Sequence, residues 1–294
     1  MDFTILSFLA APFVASLVIA GIHAYLGVHV VERGVIFVDL ALAQIAAFGA
    51  TVALLMPWSD GDPHSTPVYW TSLVFTFLGA GIFATIRGRR ARIPQEAIIG
   101  ISYAVASAAT ILAMSKSTSE AEHLKDMLVG NILAVSWTEV GQTALLYAVI
   151  GAFHFIFRQR FLAISLNPDR AEALGVSLRL WDFLFYASFG FVVTRSVAIA
   201  GVLLVFCYLI VPSVGAMLYA DKIGKRLAIG WSMGTIVSAL GVYFSLVLDL
   251  PTGATIVCTF ALVLVVMAAV RPLFRRATVP ASEYSPARAV HLRH

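Results

Sequence analysis

The stretch NPDRAEALGVSLRLWD, residues 167–182, governs how the rest of the chain is read, because it is a polar island between long apolar segments. Both ends of a short helix are written into it. Asn167 suits the N-cap, Pro168 the first helical position and Gly175 the left-handed exit. About two turns fit between them, roughly 10 Å at 1.5 Å per residue, far less than the roughly 30 Å of a bilayer core. The segment therefore lies on a membrane surface. Arg170 and Arg179 within it, with Arg158 and Arg160 just before it, assign that surface to the cytoplasmic side. A short capped helix held there between spans is shaped to press against a soluble partner. Its plainer alternative is an interfacial turn that touches lipid alone.

Apolar runs long enough to span flank the island on both sides. They cover residues 5–26, 35–56, 68–86, 97–114 and 133–157 before it, and 183–194, 197–219, 227–248 and 252–270 after it. The stretch 183–219 is too long for one crossing and short for two, with Arg195 near its middle, so it reads as a tight hairpin or a broken, re-entrant segment. If the nine runs alternate, every one of the 20 Lys and Arg residues except Lys116, Lys125 and Arg195 falls on one face. That face is then cytoplasmic, with the N-terminus outside and the C-terminus inside. A single crossing over 183–219 would put the basic loop at 221–226 and the arginine-bearing tail on opposite faces, so the hairpin is preferred. The expected fold is all-α: a polytopic bundle of eight to nine transmembrane helices over residues 1–272, with one short cytoplasmic helix. Residues 273–294 form a polar, disordered cytoplasmic tail.

Composition bounds the function. Of 294 residues 60% are apolar and 12% charged, with mean hydropathy +0.90, whereas soluble domains carry about 25% charged residues. Enough charge remains for loops and a tail, but not for an additional soluble domain, and no G-x-x-x-x-G-K-[ST] loop is present to bind a nucleotide. The first segment has no basic n-region and leads straight into another apolar run, so it reads as a span and not as a cleaved signal. Cys207 and Cys258 both lie inside apolar runs and give no sign of a disulfide framework or thiolate site. The net charge of +4 reports topology and contact with anionic lipid, not nucleic-acid binding.

Ionisable groups inside hydrocarbon cost at least about 2.5 kcal/mol for a central Asp, so each one in a span is a candidate for function. Asp39 lies about one and a half turns into the second run, and Gln44 lies near the midplane of the same helix. Five residues at about 100° each set the two about 140° apart, so they do not share one narrow stripe. His23 and His154 sit near the inner ends of their spans, where a packed, hydrogen-bonded ring competes with a ligand role. Glu96 opens the fourth run, where a carboxylate also complements the helix dipole. Asp182 reads as the N-cap or first-turn acid of the sixth run. Pro212 in mid-span marks either a hinge or a simple kink. Small residues at Ala43, Ala47 and Ala50, and at Gly230, Gly234 and Ser238, read as helix-packing faces. The outer loops carry Asp60, Asp62, His64, Glu120, Glu122 and His123, a rim suited to attract cations or dock a delivery protein, or else an ordinary solvated loop.

Taken in order, FVDLALAQIAAFGA (37–50), QEAIIGISYA (95–104), MLVGNIL (127–133), FLAISLNPDRAEALGVSLRLWD (161–182) and VAIAGVLLVFCYLIVPSVGAML (197–218) make the chain resemble the membrane permease subunit of bacterial ABC importers for divalent metals, the zinc, manganese and iron class. The resemblance runs from His29 to Val270. It implies a multi-pass protein of the bacterial plasma membrane, paired as a homodimer, whose Pro168, Asp169, Arg170, Ala171, Glu172, Leu174 and Gly175 form a coupling helix seated in an ATP-binding subunit. An extracytoplasmic metal-binding protein delivers the ion; this chain holds no cofactor, and ATP is bound by the partner. Asp39, Gln44, Glu96 and His23 are the candidate pathway or gate, with Asp39 a transient metal ligand. The sequence departs from the family pattern in that many members carry Asp and His in a GDALSH-like run. Here Gln44 stands in the place of that His, and the acid, Asp39, comes one position earlier. Oxygen donors such as these suit Mn²⁺, whereas His favours Zn²⁺. The competing functions are an ABC permease for a metal chelate or vitamin and an ion-gradient-driven secondary transporter. An intramembrane enzyme is disfavoured by the lack of an H-E-x-x-H pair.

Overall fold

The computed structural model describes residues 3–57, 65–86, 93–115 and 132–277, of which 3–8 and 273–277 are described as backbone only. These residues form eleven α-helices and no strand: α1 (Phe3–Arg33), α2 (Val38–Leu54), α3 (Thr66–Ile86), α4 (Gln95–Met114), α5 (Trp137–Ile156), α6 (Arg158–Leu166), α7 (Pro168–Ala173), α8 (Leu178–Ala200), α9 (Val202–Met217), α10 (Ile223–Leu248) and α11 (Thr252–Ala277). Seven of them, α1, α3, α4, α5, α8, α10 and α11, are long and apolar enough to cross a membrane, while α2 and α9 are apolar but shorter. Each of the nine apolar runs is therefore a helix. The last continues to Ala277, past the point where the sequence places the start of the tail; residues 278–294 lie outside the described residues.

Side-chain neighbours fix the direction of each helix. Ala20 and Ala24 of α1 meet Gly234 and Gly230 of α10, and Glu32 pairs with Arg226, so α1 and α10 run antiparallel. His29 and Arg33 meet Phe185 and Asp182, which sets α8 against α1. Tyr147 reaches Val192 while His154 reaches Ser188, so α5 also opposes α8. Thr76 and Phe83 face Gly190 and Tyr186, which makes α3 antiparallel to α8. Gly49 and Gly79 fix α2 against α3. Glu96 at the start of α4 bonds Phe37 at the start of α2, so those two begin at the same end. Tyr208 with Ser238 and Gly215 with Met233 set α9 against α10, and Tyr208 with Phe260 and Gly215 with Met267 set α11 alongside α9. The nine alternate without exception.

The hairpin over 183–219 is thus real, and its turn is one residue, Gly201 at φ 75°, not the region of Arg195. Apolar side chains continue the helical pattern on both sides of it, and only a residue without Cβ takes that backbone conformation freely. Pro212 sits inside an uninterrupted α9, and the carbonyl of Leu209 is taken up by the Ser213 hydroxyl at 2.9 Å. Gly27 lets α1 approach there: a Cβ at Gly27 would lie 2.0 Å from the Leu209 carbonyl oxygen. The small residues Gly230 and Gly234 do the same for α10, as the sequence predicts.

Candidate functional site

At the end of the bundle where α1, α3 and α5 finish, α6 and α7 leave the membrane spans. The exit of α7 follows the sequence closely. Gly175 adopts φ +78°, its N–H bonds the Glu172 carbonyl at 2.9 Å, and the N–H of Val176 reaches back to Ala171 at 3.0 Å, the two bonds of a Schellman stop. The entry differs: Asn167 makes no side-chain cap, and the start is set by Pro168 at the first position. Ala171 is buried and seats the helix, whereas Asp169, Arg170 and Glu172 are exposed. Leu174 is 74% exposed, the highest value for any large apolar side chain among the described residues.

Directly behind α7 lies a buried polar network. Ser165 of α6 accepts from Arg33 Nε at 2.9 Å and shares a hydrogen bond with His29 Nδ1 at 2.9 Å. Arg33 Nη1 donates to Asp182 Oδ1 at 2.9 Å, with both side chains 1% exposed or less, and the guanidinium lies 3.8 Å from the centre of the Phe185 ring. Asp182 is therefore the buried partner of Arg33 in the second turn of α8, not the cap of that helix. His154 is locked on the same side. The Ser188 hydroxyl is spent on the Phe185 carbonyl, so His154 Nε2–H donates to Ser188 at 2.8 Å, and the ring stacks on Phe161 at 4.1 Å. Its role is packing. Arg33 and Asp182 stand 149 positions apart, and Arg33 looks like a loop charge in the sequence. Its place two residues before an apolar run is the signal that the sequence offers.

The second polar group is unlike the first. Asp39 lies in the first turn of α2, because that helix begins at Val38 and not at residue 35. It is 1% exposed, and among the described residues neither carboxyl oxygen has a hydrogen-bond partner. His23 on α1 is fully buried. Its Nδ1–H donates to the Ile19 carbonyl at 2.9 Å, which in the neutral ring leaves Nε2 a lone pair, without a partner among the described residues. The His23 ring stands edge-on to Tyr147, 6.3 Å between centres. Glu96 reaches from α4 to accept the Phe37 N–H at 3.1 Å, so it caps α2 and places a second carboxylate at that positive helix end. Gln44 is buried further along α2. Among the described residues no three His, Cys, Asp or Glu side chains gather to cage a metal. Asp60, Asp62, His64, Glu120, Glu122 and His123 lie outside the described residues.

Comparison with known proteins places this arrangement. The family model described as the ABC 3 transport family matches residues 6–271. The manganese transport system membrane protein MntC of Listeria monocytogenes is 23% identical over 85% of this chain and 86% of its own length. The chelated iron transport system membrane protein YfeC of Yersinia pestis is 24% identical over 84% of this chain and 81% of its own. Among solved structures, PsaBC from Streptococcus pneumoniae in complex with Fab superposes with a TM-score of 0.73 at 23% identity, covering 88% of this chain and 90% of that one. At that identity the superposition speaks for the fold.

Proposed function

The chain belongs to the ABC 3 transport family, and from that premise we propose that it is the permease subunit of an ATP-driven importer of divalent metal ions, of the manganese, zinc and iron class. The face bearing α7 is cytoplasmic, since the arginines of 158–179 and the basic loop before α10 lie there. A separate ATP-binding subunit receives α7, an extracytoplasmic metal-binding protein supplies the ion, and a second copy of the permease completes the pathway in the bacterial plasma membrane. The relatives named for manganese and chelated iron transport support that cargo class.

The observation that carries the reading is the join between α7 and the spans. Pressure on Leu174 and the exposed residues Asp169, Arg170 and Glu172 moves α6 and α7 as a unit, because Gly175 and Pro168 bound a short rigid helix. Ser165 passes that displacement to His29 and Arg33 on α1, and Arg33 passes it to Asp182 on α8. His23 rides on the same α1, so the motion changes its position relative to Asp39 on α2. The carboxyl group of Asp39 and the Nε2 lone pair of His23 each offer a single ligand on a separate helix, which suits a conduit that must release its cargo. Gln44 supplies a neutral oxygen further along.

Leu174 and Ala171 separate docking from folding. In a permease reconstituted with its ATP-binding subunit, Leu174→Glu should stop metal uptake while the protein inserts and elutes normally, since Leu174 touches little of its own chain. Ala171→Glu should instead lower the yield of folded protein. Wild-type uptake by the Leu174→Glu variant would refute the coupling role.

A further inference from the structure

At the end of the bundle opposite α7, the helices α2, α3, α5 and α8 enclose a cavity of about 470 Å³, within the size range of small-molecule sites. Its polar lining includes Tyr69, Ser72, Gln142, Thr194 and Arg195. Two of these are turned away from the space. Ser72 donates to the Ala46 carbonyl at 2.7 Å. Thr194 must donate to Thr76, 3.2 Å away, because the Thr76 hydrogen is committed to the Ser72 carbonyl.

Arg195 is held from behind: Nε donates to Thr143 at 3.0 Å and Nη2 to Gln142 Oε1 at 3.2 Å. Since the Gln142 oxygen faces Arg195, its NH₂ group is left for the cavity. Besides Thr66, the space therefore presents a fixed guanidinium edge, an amide N–H and the Tyr69 hydroxyl, with no carboxylate among the described residues that line it. Such a donor set repels a bare divalent cation and pairs with an anion. One positive charge and a planar guanidinium fork match a single two-oxygen group.

We propose that this cavity, at the mouth through which cargo enters, is a subsite for one carboxylate group, held by Arg195 and the amide of Gln142. The carboxylate comes either from a small organic anion that accompanies the metal as its complex or from an acidic side chain of the delivery protein. The inference deepens the importer reading but is tested without it, because ligand binding to the isolated permease needs neither ATP nor transport.

The full-length permease in lipid nanodiscs is titrated with citrate by calorimetry, against Arg195→Gln, Arg195→Lys and Gln142→Glu. Saturable binding is expected for wild type, weakened at least tenfold by Arg195→Gln and partly kept by Arg195→Lys. Gln142→Glu preserves the bond to Arg195, places a like charge against the ligand, and should abolish binding in a protein that folds normally. Citrate binding that is absent from wild type or unchanged in Arg195→Gln and Gln142→Glu, or inorganic phosphate competing as well as citrate, would overturn the assignment. The source follows from a second titration with the delivery protein. Displacement of that protein by citrate assigns the carboxylate to its side chain, and simultaneous binding assigns it to the free anion. If the carboxylate binds and the chain nevertheless proves not to be a metal importer, only the transport reading falls.

Discussion

Asp39 and Asp182 are both acids in helical spans and both almost fully buried, at 1% and 0% exposure, yet their surroundings are opposite. Asp182 meets Arg33 at 2.9 Å, and that arginine is itself braced by Ser165 and the Phe185 ring. Among the described residues Asp39 meets no hydrogen-bond donor. A buried charge that the fold neutralises serves the architecture, because removing either partner strands the other in a medium that cannot solvate it. A buried carboxyl group that finds no partner among the described residues opposes stability whenever it ionises, a cost that a passing cation would offset in the proposed importer. In the proposed importer the Arg33–Asp182 pair would belong to the coupling path and Asp39 to the route of the cargo.

The sharpest way to break this contrast is at Arg33. Replacing it with Met strands Asp182, a loss on the order of 3–5 kcal/mol, so the yield of monodisperse protein from membranes should collapse. The double variant Arg33→Met with Asp182→Leu removes both charges and should recover most of the folded protein while uptake stays low, as read by size-exclusion chromatography and uptake assays. If the single variant is as stable as the parent, the pair is not the brace described above. His23→Leu comes next. It deletes the unpartnered Nε2 together with a bond to its own helix backbone, so metal uptake should fall severalfold while the thermal midpoint stays within a few degrees. A large drop in the midpoint would return His23 to the packing residues. The smallest effect is expected at Glu96. Glu96→Gln keeps an acceptor for the Phe37 N–H but loses the charge at the helix end, a change of about 0.3–1 kcal/mol, visible as a slight shift in thermal unfolding with uptake nearly unchanged.

The elements of the fold were legible because each obeys a local rule. The nine runs are set by hydrophobic length, the alternation by the distribution of Arg and Lys, and α7 by Pro168 and Gly175. The limits of the legible lie where two distant segments decide the outcome. Nothing near Asp182 announces Arg33, so a first-turn cap was the natural local reading. Nothing near Phe37 announces that Glu96 will arrive from α4 to cap α2. The hairpin turn falls at Gly201 because backbone freedom outweighs the charge of Arg195, which instead finds Thr143 and Gln142 on a neighbouring helix. Asp39 could be singled out from sequence as a costly acid, but its lack of any partner is visible only once every neighbouring helix is in place.

The contrast between the two aspartates reduces to one paired measurement on Asp39→Asn: uptake of radioactive manganese by the reconstituted assembly, and the thermal midpoint of the same purified permease. Uptake should drop at least tenfold while the midpoint holds or rises, since an unpartnered buried carboxyl group has been removed. Wild-type uptake, or a midpoint that falls along with the uptake, would contradict it.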